Sequence, residues 1–233
     1  MTKYVLTRAL LQAGGIDALV ARGAPDLRLL TETERAESLR RTLAVRPPGE
    51  AAWLFGYGSL IWNPAILTVE RRVAFIKGWH RAFCLSTQVG RGSLDNPGLV
   101  LGLDTGGSCT GVAFRLAEDS LTSELALLWR REMLAGSYVP RWVDVLDEQG
   151  ARFGTAIAFT INQETDHYAG NLGRDAIIRR LATASGELGS AADYLYRTRD
   201  GLRAEGIPDS ELERLAADVE AARIANGTAT SRT

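Results

Sequence analysis

The 233-residue chain is 45% hydrophobic and 24% charged, ordinary globular proportions that allow one large or two small domains. A net charge of −1 gives no electrostatic reason to bind nucleic acid or an anionic membrane. Two scattered cysteines, Cys84 and Cys109, suit neither a disulfide framework nor a zinc site and read as buried thiols in strands. With no apolar run of about 18 residues and no signal-peptide core, a soluble cytoplasmic protein is expected.

Residues 1–45 read as helical, with Thr31 and Glu34 as a capping box opening a helix that carries Leu39 and Leu43. Arg46-Pro47-Pro48-Gly49 breaks that helix and marks the end of an N-terminal extension, residues 1–50, packed on the main domain. Strand signals then dominate, at 51–55, 72–77, 81–86, 99–104, 109–116, 141–146 and 152–161. In the last of these, Phe153, Ile157, Phe159 and Ile161 share one face, with smaller or polar residues on the other. Asn96-Pro97-Gly98, Gly106-Gly107 and Gln149-Gly150 are expected to be turns between antiparallel strands. One helix interrupts the block at 120–134, and three more are expected at 174–184, 190–204 and 210–224. A main domain over 51–225 and a frayed tail over 226–233 complete the division. Strands clustered between helices, without regular βαβ alternation, argue for an α+β fold with a curved sheet or small barrel.

Several familiar motifs fail. Gly56-x-Gly58 lacks the third glycine of a dinucleotide fingerprint, because Ile61 stands there, and no Lys-Ser/Thr pair completes a P-loop. Ser59 is not in a Gly-x-Ser-x-Gly elbow, and only His80 and His167 could serve it as a base. His80 is read as a structural hydrogen-bonding residue. Asp104-Thr105-Gly106 matches an aspartic-protease half-site, but a plain hairpin turn fits as well and is favoured, since three residues carry little weight.

The helix at 120–134 is more informative. Asp119 or Ser120 can cap it, and Leu121, Leu125 and Leu128 form its apolar stripe. The next position on that stripe is Glu132, while Arg130 and Arg131 fall off the face. A carboxylate on a buried face is costly unless partnered, and burial raises its pKa toward the range useful for proton transfer. Alternatively, the helix frays before Gly136 and Glu132 meets water or an arginine. Periodicity alone leaves both readings open.

The apolar segment Trp53–Trp62 is interrupted by Gly56, Tyr57, Gly58 and Ser59. Phe55-Gly56-Tyr57-Gly58-Ser59-Leu60-Ile61-Trp62 resembles the N-terminal signature of the ChaC family of γ-glutamylcyclotransferases. The resemblance continues through Gly78-Trp79-His80-Arg81 and Pro97-Gly98-Leu99-Val100, then Leu128-Trp129-Arg130-Arg131-Glu132-Met133, and late in the chain Asp193-Tyr194-Leu195. It covers about 51–215, and the first 50 residues resemble the extension of the bacterial branch.

The resemblance implies a mixed or antiparallel β-barrel with flanking helices. It also implies cleavage of the γ-glutamyl bond of glutathione to 5-oxoproline and cysteinylglycine, without cofactor, metal or water. Glu132 is then the general acid/base. Phe55, Gly56, Tyr57, Gly58, Ser59 and Leu60 form the substrate-binding turn, in which backbone N–H groups of Gly58, Ser59 and Leu60 make a nest for the α-carboxylate and Tyr57 walls the pocket. Tyr138 and Tyr194 are candidate oxyanion donors beside the nest amides, Tyr138 alternatively bonding Glu132, and either tyrosine could instead be core packing. Met133 and Ala135-Gly136-Ser137 depart from the short eukaryotic pattern, which has Lys after the catalytic Glu, and leave the cysteinylglycine side of the pocket open. The alternatives are a cyclotransferase for other γ-glutamyl amines or amino acids, or a non-enzymatic accessory protein linked to cation transport. A binding module, however, has no use for a carboxylate on an apolar helix face.

Overall fold

A computed structural model of the chain describes residues 6–230, and side chains up to residue 227. Five strands close into a mixed barrel in the order β1-β3-β2-β4-β5. They are β1 (Ala52–Gly56), β2 (Glu70–Thr87), β3 (Gly98–Arg115), β4 (Tyr138–Leu146) and β5 (Arg152–Ile161). β1 runs antiparallel to β3 and parallel to β5, which closes the ring.

The four central strands expected from the sequence are two. β2 and β3 are 18-residue partners whose pairing shifts register between Lys77 and Trp79. Gly78 sits there at φ 82°, opposite Gly106 at 93° and Gly107 at 67°. Positive φ reads as a turn in sequence, but glycines facing each other across a ladder make a bulge that bends both strands without reversing them. Residues 106–107 are therefore not a hairpin turn; the reversal lies at 88–97, entering β3 through Asn96-Pro97-Gly98. Asp104 lies inside β3, accepting hydrogen bonds from Tyr168 Oη (2.7 Å), the Thr105 amide (2.8 Å) and Gln163. Burial pushes this carboxyl up, but those bonds together win and draw it below its ordinary range. His80 Nδ1 lies 3.1 Å from the Gly106 carbonyl oxygen, a structural contact. Gln149-Gly150 does turn between β4 and β5, closed by the Asp147 amide on the Ala151 carbonyl at 2.9 Å.

Both faces of β5 are buried, Ala156 and Ala158 as completely as Ile157 and Phe159. A strand in a closed barrel covered by helices has no solvated side. Both cysteines are buried in strands, and burial pushes the Cys84 thiol up to about 12.

Three helices precede the barrel: α1 (Arg8–Gln12), α2 (Gly15–Gly23) and α3 (Glu32–Ala44), the last opened by the reciprocal Thr31–Glu34 capping box. A one-turn helix, α4 (Ser59–Trp62), follows β1 where the sequence suggested only resumed apolar character. α5 (Leu121–Glu132) crosses between β3 and β4, and its N-cap, Ser120, makes no side-chain capping bond. α6 (Arg174–Thr183), α7 (Ala191–Ala204) and α8 (Ser210–Thr230) close the fold. The tail expected to fray from Asn226 is helical as far as Thr230, and 231–233 lie outside the described residues. Among the described residues no helix is long and apolar enough to cross a membrane.

Candidate active site

β1 ends at Gly56, and the chain turns through Tyr57 and Gly58 into α4. The space behind this turn is tight. A Cβ on Gly56 would lie 2.8 Å from the Phe114 ring, and one on Gly58 would lie 2.9 Å from the Tyr194 hydroxyl. Glycine is needed here for close approach. Arg81, from the Gly78–Arg81 segment, donates to the Tyr57 carbonyl and, at 2.7 Å, to that of Thr110, anchoring the turn from below.

The backbone where the nest is expected is the first turn of a short helix, with Gly58 as its N-cap. The Ile61 amide bonds the Gly58 carbonyl at 3.0 Å and the Asn63 amide that of Ser59 at 2.9 Å. The Ser59 and Leu60 amides, being first-turn groups, have no intrahelical acceptor. Ser59 Oγ accepts from Arg131 Nη2 at 2.9 Å. Its own proton therefore remains available to donate.

Arg131 was expected off the buried face. It is instead almost fully enclosed, because α5 is buried over most of its circumference: Leu121, Glu124, Leu125, Leu127, Leu128, Trp129 and Arg131 are all inside. Its guanidinium donates to the Asn63 carbonyl as well as to Ser59, tying the end of α5 to both ends of α4.

Glu132, the last residue of α5, is 13% exposed at its side chain. Oε1 is ion-paired with Arg131 Nε at 2.8 Å, but the approach is not aligned as a hydrogen bond and the oxygen has no hydrogen-bond partner. Burial pushes the Glu132 carboxyl above its ordinary range despite the opposing charge of Arg131. The C-terminal end of a helix, where the macrodipole is negative, adds to that pressure against ionisation.

These groups border a cleft of about 420 Å³, lined among others by Ser59, Trp62, Arg91, Arg131, Glu132, Tyr138, Tyr194 and Arg197. A narrower chamber of about 150 Å³ shares Arg131, Glu132 and Tyr138 and continues toward Ser137 and His167. The N-terminal segment closes over both. Leu6 and Ile16 border the larger chamber, and Ile16, Leu19, Val20 and Leu27 the smaller. This roof is pinned at each end, by Asn63 Nδ2 on the Leu6 carbonyl (2.8 Å) and by the Leu30 amide on the Leu134 carbonyl (2.7 Å).

The profile of the family described as "ChaC-like protein" matches residues 52–222. The chain belongs to this family. Among curated relatives, the glutathione-specific γ-glutamylcyclotransferase of Escherichia coli K12 is 43% identical over 205 residues, covering 88% of each chain. The human glutathione-specific γ-glutamylcyclotransferase 1 is 31% identical over 74% of this chain and 78% of its own. A crystal structure of a yeast γ-glutamyl cyclotransferase specific to glutathione superposes with a TM-score of 0.68 over 75% of this chain and 98% of that one, at 21% identity. That likeness establishes the γ-glutamylcyclotransferase barrel as the fold. The roof lies outside the segment that the family profile matches.

Four of the expected site residues, Ser59, Glu132, Tyr138 and Tyr194, border the cleft of this ChaC-type barrel. Phe55, Gly56, Tyr57, Gly58 and Leu60 are buried and do not border it. Tyr57 does not wall the pocket: it is buried, its hydroxyl donating to the Phe159 carbonyl at 2.8 Å. Tyr138 does not bond Glu132 either; its proton goes to the Leu101 carbonyl at 2.8 Å. Burial raises both phenols well above their usual range. Tyr194, likewise pushed up by burial, keeps its hydroxyl beside Gly58 and within reach of Ser59.

Proposed function

We propose that the chain cleaves the γ-glutamyl bond of glutathione by intramolecular attack, releasing 5-oxoproline and cysteinylglycine, with Glu132 as general acid/base. The observation that carries this reading is a nearly buried, under-partnered carboxylate in the same cleft as Ser59 and Tyr194. It is the activity by which the E. coli and human relatives are named.

The α-amine of the γ-glutamyl group attacks the γ-carbonyl carbon, forming the C–N bond of a five-membered lactam. Glu132 takes a proton from that nitrogen. It then returns the proton to the cysteine nitrogen as the original amide C–N bond breaks, so protons balance and no water is consumed. Such acid–base help is typically worth about 10²–10⁴ in rate. The Ser59 hydroxyl and first-turn amide are suited to the α-carboxylate, and Tyr194 to the developing oxyanion. Tyr138 is less suited to donate, because its proton is already engaged. Arg131 is a positioning residue that holds Ser59 and Glu132 in one frame.

The test is incubation of purified protein with glutathione, following both products by mass spectrometry, with Glu132→Gln in parallel. Equimolar 5-oxoproline and cysteinylglycine, formed about 10²–10⁴ more slowly by the variant, is the expected result. Turnover by a folded Glu132→Gln near wild type would remove Glu132 from the mechanism. Product from other γ-glutamyl compounds but not glutathione would move the substrate.

A further inference from the structure

The cleft contains a cation that this chemistry does not use. Arg91, in the connection between β2 and β3, borders the larger chamber. Its guanidinium lies over the Tyr194 ring, 5.8 Å from the centroid, and donates to the Ser190 carbonyl at 3.3 Å. Among the described residues no carboxylate is within ion-pair distance of Arg91, whereas Arg8, Arg35, Arg46, Arg81 and Arg131 each face one. Arg197, one turn beyond Tyr194 on α7, borders the same chamber over the Trp62 ring at 5.5 Å and also lacks a carboxylate partner there. Burial, with the like charge of Arg197, presses Arg91 toward its neutral form against the opposing influence of Tyr194 and the Asp193 carboxylate. A guanidinium held partly out of water with no carboxylate in hydrogen-bond contact, Asp193 acting on it only from beyond ion-pair distance, costs free energy, and its remaining donors are geometrically matched to a carboxylate.

The substrate proposed above brings two carboxylates. The first is on the carbon that bears the attacking amine, so it must sit near Glu132. Arg131, the cation there, is already committed to Asn63, Ser59 and Glu132. The second ends the glycine residue, two residues beyond the bond that breaks, a reach of roughly 7 Å for extended chain. Glu132, Tyr194 and Arg91 border one chamber, and Arg91 lies against the Tyr194 ring rather than among the groups that hold Glu132.

We propose that Arg91, with Arg197 at the mouth of the cleft, binds the C-terminal carboxylate of the tripeptide and makes that carboxylate a determinant of specificity. This rests on the glutathione reading. It assigns the cysteinylglycine side of the substrate to residues of the larger chamber, whereas Ala135 and Ser137 border the smaller one.

The experiment compares glutathione with its C-terminal amide (γ-Glu-Cys-glycinamide), measuring kcat and KM separately for wild type, Arg91→Lys and Arg91→Gln, with a thermal melt of each. Wild type is expected to favour the acid by about 10- to 100-fold in kcat/KM, the range of a charge-assisted hydrogen-bonded pair. Arg91→Gln is expected to erase that preference by raising KM for the acid, with a much smaller change for the amide, and Arg91→Lys to recover part of it. Equal losses on both substrates would overturn the proposal, because Arg91 would then serve the shared γ-glutamyl end or the fold. Equal use of acid and amide by wild type would overturn it without any variant. A wild type that releases 5-oxoproline from neither compound removes the reaction assignment itself, and this inference with it.

Discussion

Helix α5 carries Glu124 in its first turn and Glu132 at its last residue, and the surroundings drive the two carboxyls in opposite directions. Glu124 is 2% exposed and fully partnered. Arg8 grips it with two hydrogen bonds of 2.6 and 2.7 Å, and the Leu67 amide adds a third at 2.9 Å. Those bonds, the Arg8 pair foremost, hold its carboxyl below the ordinary range, and a helix N-terminus favours negative charge. Glu132 meets burial, the unfavourable end of the dipole and one poorly aligned arginine, and its carboxyl is raised. The comparison teaches that burial does not by itself mark a working carboxylate. An under-satisfied one bordering a cavity is the better signal.

The largest effect that could break this contrast is on rate. Glu132→Gln is expected to lower kcat by about 10²–10⁴ with little loss of Tm, while Glu124→Gln leaves kcat within a few-fold of wild type. Steady-state 5-oxoproline release and a melt of each variant check it. A Glu124→Gln enzyme as dead as Glu132→Gln would show that the two ends are not functionally distinct.

The next effect is on stability and belongs to the other glutamate. Removing one member of a well-bonded buried pair costs several kcal/mol, but Arg8 stays a third exposed and water can take over part of its solvation. Glu124→Gln is therefore expected to cost about 1–3 kcal/mol, a drop of roughly 2–4 °C in Tm per kcal/mol for a chain of this size. An unchanged melt would mean that Arg8 does not hold the roof onto α5.

What sequence could reveal follows the same division. Glu132 was visible because a 3.6-residue period carries the Leu121–Leu125–Leu128 stripe onto it, and because the Phe55–Trp62 signature carries its own identity. Arg131 was not, since a single-stripe picture assumes a solvated opposite face, and α5 has very little of one. Glu124 was missed for the same reason, its partner lying 116 residues away. Gly106-Gly107 reads in sequence as a turn but forms a bulge with Gly78, because turns and bulges ask the same conformational freedom of glycine. The roof left no motif at all: Ile16, Leu19 and Val20 look like any amphipathic helix until the cavity beneath them is present.

A smaller effect sharpens the Glu132 side of the comparison. Arg131 opposes burial in setting the Glu132 carboxyl, so Arg131→Gln should raise that carboxyl further. A general base must be ionised to act, so the acid limb of the kcat/KM–pH profile moves to higher pH in the variant. Because Ser59 also loses its donor, KM should rise as well. A purely structural role for Arg131 would lower the active fraction at every pH without moving that limb.

The smallest effect is the slope of stability with pH, and here the two glutamates must differ in sign. Glu124 has a folded pKa below its unfolded one, so it contributes stability that is present above the ordinary carboxylate pKa and is lost as pH falls through the depressed value. Glu132 has a raised folded pKa, so its contribution is present below the ordinary value and is lost as pH rises through the raised one. Denaturant unfolding across mildly acidic pH separates them. The wild type minus Glu132→Gln difference should move against wild type as pH climbs, and the wild type minus Glu124→Gln difference should move in its favour. Slopes of the same sign would mean that the Glu132 carboxylate finds, in solution, a partner as good as Arg8, and the case for it as a poised base would lose its physical footing.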